Sequence, residues 1–151
     1  MDIKYINAFI TGLLNVTGML GVSDLKRSGL SKKERLEIDK DVNILLGMTG
    51  GMNGNIVLSM PEQTARNIAS TMMGGMEVAV LDMMPKSALC ELANMIAGNS
   101  IAGLDADSVS MSPPTLISGQ NIIALVSLVE TLVIDFTAAV GSITMSIALE
   151  G

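Results

Sequence analysis

The sequence predicts an α/β (α+β) fold in which long helices pack on an antiparallel sheet. Apolar residues recur at helical spacing within residues 4–20 and 85–102, as on amphipathic helices. Runs rich in Ile, Val and Thr, separated by Gly, are typical of strands joined by turns. The 151 residues suit a single domain, residues 1–151. Because 49% of the residues are hydrophobic and 16% charged, we expect a substantial core rather than disorder.

The first part of the chain predicts one helix followed by a β-hairpin. The helix covers residues 4–20, and Gly21 stands where a helix commonly ends. Residues 22–40 are mostly polar and charged, so they form either an irregular connection or an exposed strand. Residues 42–49 and 54–60 are predicted strands, because the Gly-rich segment between them is a strong turn signal.

The rest of the chain predicts two further helices and more strands. Pro61 opens the second helix, which runs to about Met73, and Pro85 opens the third, over residues 85–102. A short strand is expected within 105–112, and Pro113-Pro114 then imposes a rigid extended segment. Three further segments rich in Ile, Val and Thr are predicted strands: residues 121–129, 131–138 and 141–149.

The two halves of the sequence resemble each other. Residues 54–60 (GNIVLSM) and 141–147 (GSITMSI) share Gly, Ile and Ser at a constant offset. In both halves a predicted helix precedes paired strands, so we expect a pseudo-duplicated helix–strand–strand unit. At the same offset, Lys4 in the first helix corresponds to Glu91 in the third helix. Asn7 likewise corresponds to Asn94.

The composition excludes several kinds of site. The chain has no His and one Cys, so neither a Cys/His zinc site nor a Ser–His or Cys–His catalytic pair can form. Cys90 without a His partner is typical of a small, partly buried hydrophobic residue. The 13 Met residues are typical of core filling, and a Met-rich binding surface is the alternative.

Charge and hydropathy patterns argue against nucleic-acid and membrane partners. The net charge is −6, and acidic residues between positions 24 and 41 dilute the basic residues within 26–35, as on a solvated surface. The N-terminus lacks the pattern of a signal peptide. The most apolar stretch, residues 122–140, contains Glu130 and Asp135 and falls short of the ~18 uncharged residues that a spanning helix needs. We therefore expect a cytoplasmic protein.

The third predicted helix has one polar face. Ser87, Glu91, Asn94 and Gly98 fall on one stripe, whereas the Leu and Ile residues fall on the opposite face. Glu91 and Asn94 are three residues apart, so their side chains are neighbours on the helix surface. By spacing alone, such a pair is typical of an ordinary exposed helix face.

The same residues also match a family signature. The chain resembles the CheC/CheX/FliY phosphatases, whose motif is Asp or Ser, three residues, Glu, two residues, Asn and a downstream Pro. Ser87, Glu91, Asn94 and Pro113-Pro114 supply it here. The CheX type is the more similar, because resembling blocks occur in order along the chain: residues 4–7, 47–58, 72–76, 87–99 and 112–115.

The resemblance implies an enzyme that removes the phosphoryl group from the aspartyl phosphate of a CheY-like receiver domain. It implies that Asn94 holds the attacking water, that Glu91 pairs with a Lys of the partner, and that Ser87 lies at the edge of the contact. Gly98 adds no side chain at the end of the polar stripe, so another surface can approach there. The resemblance also implies a homodimer, and a Mg²⁺ ion that the partner supplies rather than a cofactor or metal of the chain's own.

Two departures and two alternatives remain open. Ala8 stands where many relatives have Pro, and Cys90 stands where Gly is frequent. The same helix face would also suit a non-catalytic module that binds a receiver or a flagellar switch protein. A purely structural oligomer is the other alternative.

Overall fold

Three helices lie on one face of a seven-stranded antiparallel sheet in the computed structural model, which describes residues 3–104 and 109–150. The helices are α1 (Ile3–Met19), α2 (Glu62–Met72) and α3 (Met83–Ala102). All three confirm the sequence predictions to within two residues at each end. Helix α3 starts before Pro85, which lies in its first turn, where a residue without an N–H costs no intrahelical hydrogen bond.

The strands form one large sheet and one small one. They are β1 (Lys26–Lys33), β2 (Leu36–Ile38), β3 (Val42–Gly50), β4 (Asn53–Met60), β5 (Val109–Met111), β6 (Thr115–Ser118), β7 (Ala124–Ser127), β8 (Thr131–Ala138) and β9 (Gly141–Glu150). The order in the large sheet is β1-β8-β9-β4-β3-β5, and β6 also pairs with β3. Strands β2 and β7 form the small two-stranded sheet.

Most strand predictions are confirmed, and the exceptions have local causes. Of the two alternatives for residues 22–40, the exposed strand is correct over Lys26–Lys33, because β1 pairs with β8 at the edge of the sheet and is almost wholly exposed. Strand β2 in the same segment has two buried residues. The predicted strand 121–129 is wrong at its ends, and only β7 forms there. Asn121 has a φ of 56°, which an extended strand does not allow. Residues 105–108 of the predicted strand 105–112 lie outside the described residues, and the remainder contains β5.

The main core lies between the helices and the sheet. Side chains of β4 and β9 alternate, so that every second residue faces the helices. The core includes large side chains from all three helices and the four central strands: Phe9, Leu13, Ile68, Leu89, Leu92, Ile96, Ile44, Met48, Ile56, Leu58, Ile134, Phe136, Met145 and Ile147. Several Met residues therefore fill the core, as their abundance predicts, while Met76, Met83 and Met84 are exposed.

The small sheet covers part of the opposite face of the large sheet. Leu36 and Ile38 of β2 pack there with Val57 and Ala148, and these residues form a second apolar cluster. Within residues 3–104 and 109–150, no helix combines the length and apolarity needed to span a bilayer.

Helices α1 and α3 pack closely because α1 carries a glycine at their contact. A Cβ atom at Gly12 would overlap the hydroxyl of Ser100 and would lie 3.0 Å from the carbonyl oxygen of Ile96. The Ser100 hydroxyl cannot easily move, since it is buried and donates a 2.6 Å hydrogen bond to the same carbonyl. The position of α3 on the sheet thus depends on a residue without a side chain in α1.

We expect Gly12→Ala to lower the free energy of unfolding by about 1–3 kcal/mol, because the added methyl group forces the two helices apart. Gly18→Ala is the matched control, since a Cβ atom there meets nothing within 4 Å. The control should raise stability by up to about 1 kcal/mol, because Ala favours the helix over Gly. Urea denaturation measures both values. Equal effects of the two substitutions would contradict the close contact.

Candidate functional site

Helix α3 presents its polar stripe to solvent. Ser87, Glu91, Asn94 and Gly98 are all exposed, as predicted. The opposite side of the helix is buried in the core through residues that include Leu89, Leu92, Ala93 and Ile96. Burial of this apolar side fixes the rotation of α3 about its axis, and so it determines which side chains face outward.

A shallow groove of about 410 Å³ runs beside the exposed face of α3. Six of its lining residues come from α3 and one comes from β6: Met83, Lys86, Ser87, Cys90, Glu91, Asn94 and Leu116. The structure thus brings three of the four predicted site residues into one concave surface. Gly98, one turn beyond Asn94, does not line the groove.

Sequence reasoning missed Met83, Lys86 and Leu116. Met83 and Lys86 belong to the first turn of α3, and neither residue is part of the motif that the sequence matches. Leu116 reaches α3 only because β6 pairs with β3, where Leu116 stands opposite Ile44. A pairing between segments so distant in sequence leaves no local pattern to detect.

The Pro113-Pro114 segment positions Leu116. Just before it, the backbone N–H of Ser112 donates to the carbonyl oxygen of Gly47 at 2.9 Å. The N–H of Gly47 donates in return to the hydroxyl of Ser112 at 2.8 Å. The two prolines follow this clamp directly, and β6 begins at Thr115. The segment therefore acts as a rigid link that holds β6 beside α3.

Glu91 and Asn94 make no hydrogen bond or ion pair within residues 3–104 and 109–150. Both side chains are exposed, so their polar atoms contact solvent. A carboxylate and a carboxamide side by side on a helix offer one negative acceptor and one neutral group that both donates and accepts. This arrangement suits recognition of a cation and orientation of a small polar molecule.

The described part of the chain holds no cluster of three His, Cys, Asp or Glu residues that could bind a metal ion. Cys90 is half-buried in the groove, and desolvation raises the pKa of its thiol above the ordinary value of 9.0. At neutral pH the thiol is therefore protonated and a poor nucleophile.

The first helix forms a separate groove. Lys4, Asn7 and Thr11 line it together with the C-terminal part of α3, where Asn15 donates a 3.2 Å hydrogen bond to the side-chain oxygen of Asn99. The structure therefore does not bring Lys4 and Asn7 into the groove that Glu91 and Asn94 line.

Comparison with known proteins shows the family to which this fold belongs. Residues 42–137 match the family model described as chemotaxis phosphatase CheX. The chain is 34% identical over 125 residues to the CheY-P phosphatase CheX of Thermotoga maritima, covering 81% of this chain and 80% of that protein. The chain belongs to the chemotaxis phosphatase CheX family.

Solved structures with the same fold agree with this assignment. A CheC-like superfamily protein from Shewanella sp. PV-4 matches with a TM-score of 0.88 and 26% identity over 100% of both chains. The CheX–CheY–BeF3–Mg²⁺ complex from Borrelia burgdorferi matches with a TM-score of 0.77 and 25% identity, covering 97% of this chain and 98% of that chain.

The raised pKa of Cys90 predicts how its alkylation depends on pH. Because the thiolate is the reactive form, the rate with iodoacetamide should be low at pH 7 and should still be rising at pH 9. Cys90 is the only cysteine, so the labelling rate followed by mass spectrometry reports on this thiol alone. Free cysteine is the control. A pH profile of the rate that rises no later than that of free cysteine would show that burial does not raise the pKa.

Proposed function

We propose that this chain hydrolyses the aspartyl phosphate of a CheY-like receiver domain and so ends a chemotaxis or related two-component signal. The observation that carries the proposal is the exposed pair Glu91 and Asn94 at a groove, in a chain of the CheX family. Its Thermotoga relative is a CheY-P phosphatase, and its Borrelia relative forms a complex with CheY, BeF3 and Mg²⁺.

The reaction needs little more from this chain than positioning. Water attacks the phosphorus atom, the bond to the aspartate oxygen breaks, and the products are inorganic phosphate and a free carboxylate. Asn94 is the proposed catalytic residue: its side-chain oxygen accepts a hydrogen bond from the water and holds it in line with the breaking bond. The Mg²⁺ that we assign to the receiver neutralises charge on the phosphoryl oxygens.

The other residues of the polar stripe dock the partner. Glu91 pairs with a Lys of the receiver, and its lack of an intramolecular ion pair within the described residues keeps its carboxylate available for this contact. Ser87, one turn before Glu91 in the same groove, lies at the edge of the contact. At Gly98 a Cβ atom would meet nothing within 4 Å, so the helix surface is open to close approach by the receiver.

We expect wild-type protein to accelerate phosphate release from a Mg²⁺-loaded, phosphorylated receiver of the same organism. Asn94→Ala should lower this acceleration about 100-fold, because the water loses its orienting group. Glu91→Ala should also lose most of the acceleration, because the receiver then docks without the ion pair between its Lys and Glu91. Phosphate release is followed with a coupled colorimetric assay.

Two exposed residues away from the groove provide matched controls for this experiment. Glu77→Ala removes a carboxylate and Asn7→Ala removes a helical carboxamide, and both variants should retain the wild-type rate. If the wild type accelerates phosphate release from none of the organism's receivers, the proposed phosphatase activity is refuted. Wild-type rates in Asn94→Ala would favour a module that only binds the receiver.

We further propose that the two halves of the chain are a duplicated unit. Leu58 and Met145 are each the fourth residue after the glycine that opens the repeated segment, so they are counterparts. These two residues stand directly opposite each other in the antiparallel pair of β4 and β9. A two-fold axis between the halves would pass between these residues, which supports the duplication.

A homodimer in the cytoplasm is the proposed assembly, and the open edge of β1 supports it. Beyond β8, no strand in the described ranges pairs with β1, and an unpaired edge is a template for a second chain. Strand β1 carries four basic residues, of which Lys32 is already paired with Glu130 at 3.1 Å.

Light scattering should give a mass of twice 15.8 kDa at micromolar concentration. If β1 strands pair across a two-fold axis, their basic residues face each other. Added salt should then increase the dimer fraction, because it screens this repulsion. A mass of 15.8 kDa at every salt concentration would exclude the dimer.

A further inference from the structure

We propose that the groove between α3 and β6 receives an apolar side chain from the receiver surface, beside its phosphorylated aspartate. Met83 and Leu116 would then determine how tightly the receiver binds. This inference rests on the proposed function and adds a second, apolar contact to the polar pair.

The first argument is continuity. Met83 and Leu116 line the same groove as Glu91 and Asn94. A receiver that brings its phosphorylated aspartate to Asn94 therefore covers this groove and excludes water from it. The part of the receiver that would fill the groove is therefore the surface next to its phosphorylation site.

The second argument is the chemistry of the lining. Apart from Glu91 and Asn94, the groove has Lys86 and Ser87 as polar groups, and its other lining residues are Met83, Cys90 and Leu116. A phosphoryl group alone would leave these apolar walls uncovered. Burial of apolar surface at the centre of an interface contributes most of the affinity when a polar rim surrounds it.

The third argument is the exposure of Met83. Its exposed fraction is 76%, although apolar side chains of this size are usually buried. Met adapts its shape to a partner at little conformational cost, whereas Leu116 is held by the pairing of β6 with β3. One wall of the groove is therefore adaptable and the other is rigid.

The neighbouring methionine provides a matched control. Met84 has a similar exposed fraction of 68%, is adjacent in the same helical turn and does not line the groove. Leu125, which is 54% exposed on β7, serves as the control for Leu116. Met→Ala in a helix preserves helix propensity, so neither Met variant is expected to unfold the protein.

Steady-state phosphate release with increasing concentrations of phosphorylated receiver tests the inference. Met83→Ala and Leu116→Ala should each raise KM about tenfold and leave kcat near the wild-type value, because the contact is remote from the water. Met84→Ala and Leu125→Ala should leave both constants unchanged. Equal KM values for Met83→Ala and Met84→Ala would overturn the inference and leave the phosphatase intact.

A binding measurement separates this inference from the proposed function. Receiver loaded with Mg²⁺ and beryllofluoride is titrated into wild type, Met83→Ala and Met84→Ala, so that no turnover is needed. A selective, about tenfold loss of affinity in Met83→Ala supports the groove contact even if wild type releases no phosphate. Equal affinities, or no binding by any of the three proteins, would overturn it.

Cys90 provides a direct readout of groove occupancy. Cys90 lines the groove together with Met83 and Leu116, and it is the only cysteine of the chain. Saturating beryllofluoride-loaded receiver should slow alkylation of Cys90 several-fold at pH 9. An unchanged rate at saturation would show that the groove stays open, and it would overturn the inference whatever the kinetic result.

Discussion

Burial of one side of α3 against the sheet is the constraint on which the site depends. Leu89, Leu92 and Ile96 must leave water, and their burial sets the rotation of the helix. The polar stripe then faces outward without any specific interaction of its own. The contact with α1 at Gly12 fixes the remaining freedom, because two helices that approach so closely cannot slide past each other. A rigid scaffold of this kind suits an enzyme whose contribution is positioning.

The sequence predicts what is local and misses what depends on distant pairing. The helical period was sufficient to place Glu91, Asn94, Ser87 and Gly98 on one exposed face, because that period is a property of a single segment. The groove itself could not be predicted, since its second wall comes from Leu116 through the pairing of β6 with β3. The predicted strand 121–129 was too long for a different, local reason: composition favours a strand there, but the backbone turns at Asn121.

Whether a polar side chain has a hydrogen-bond partner within the fold also bears on the proposed docking. The buried hydroxyls of Ser100 and Thr17 find internal partners, because they donate to the carbonyl oxygens of Ile96 and Leu13. Glu91 and Asn94 have none within the described residues. In the proposed complex their hydrogen-bonding groups would exchange only water for a receiver, so docking would break no internal contact. The free energy of this docking would therefore not be reduced by the loss of contacts within the fold.

The proposed duplication explains why only one of two related helix faces is assigned to catalysis. At the counterpart of Glu91 stands Lys4, and at the counterpart of Asn94 stands Asn7. A receiver that offers a Lys to Glu91 would meet a like charge at Lys4, and like charges in contact disfavour the wrong orientation. Under this proposal the carboxamide alone is insufficient: Asn7 has the right chemistry to hold a water, but the first helix has no acidic residue that would bring the substrate to it.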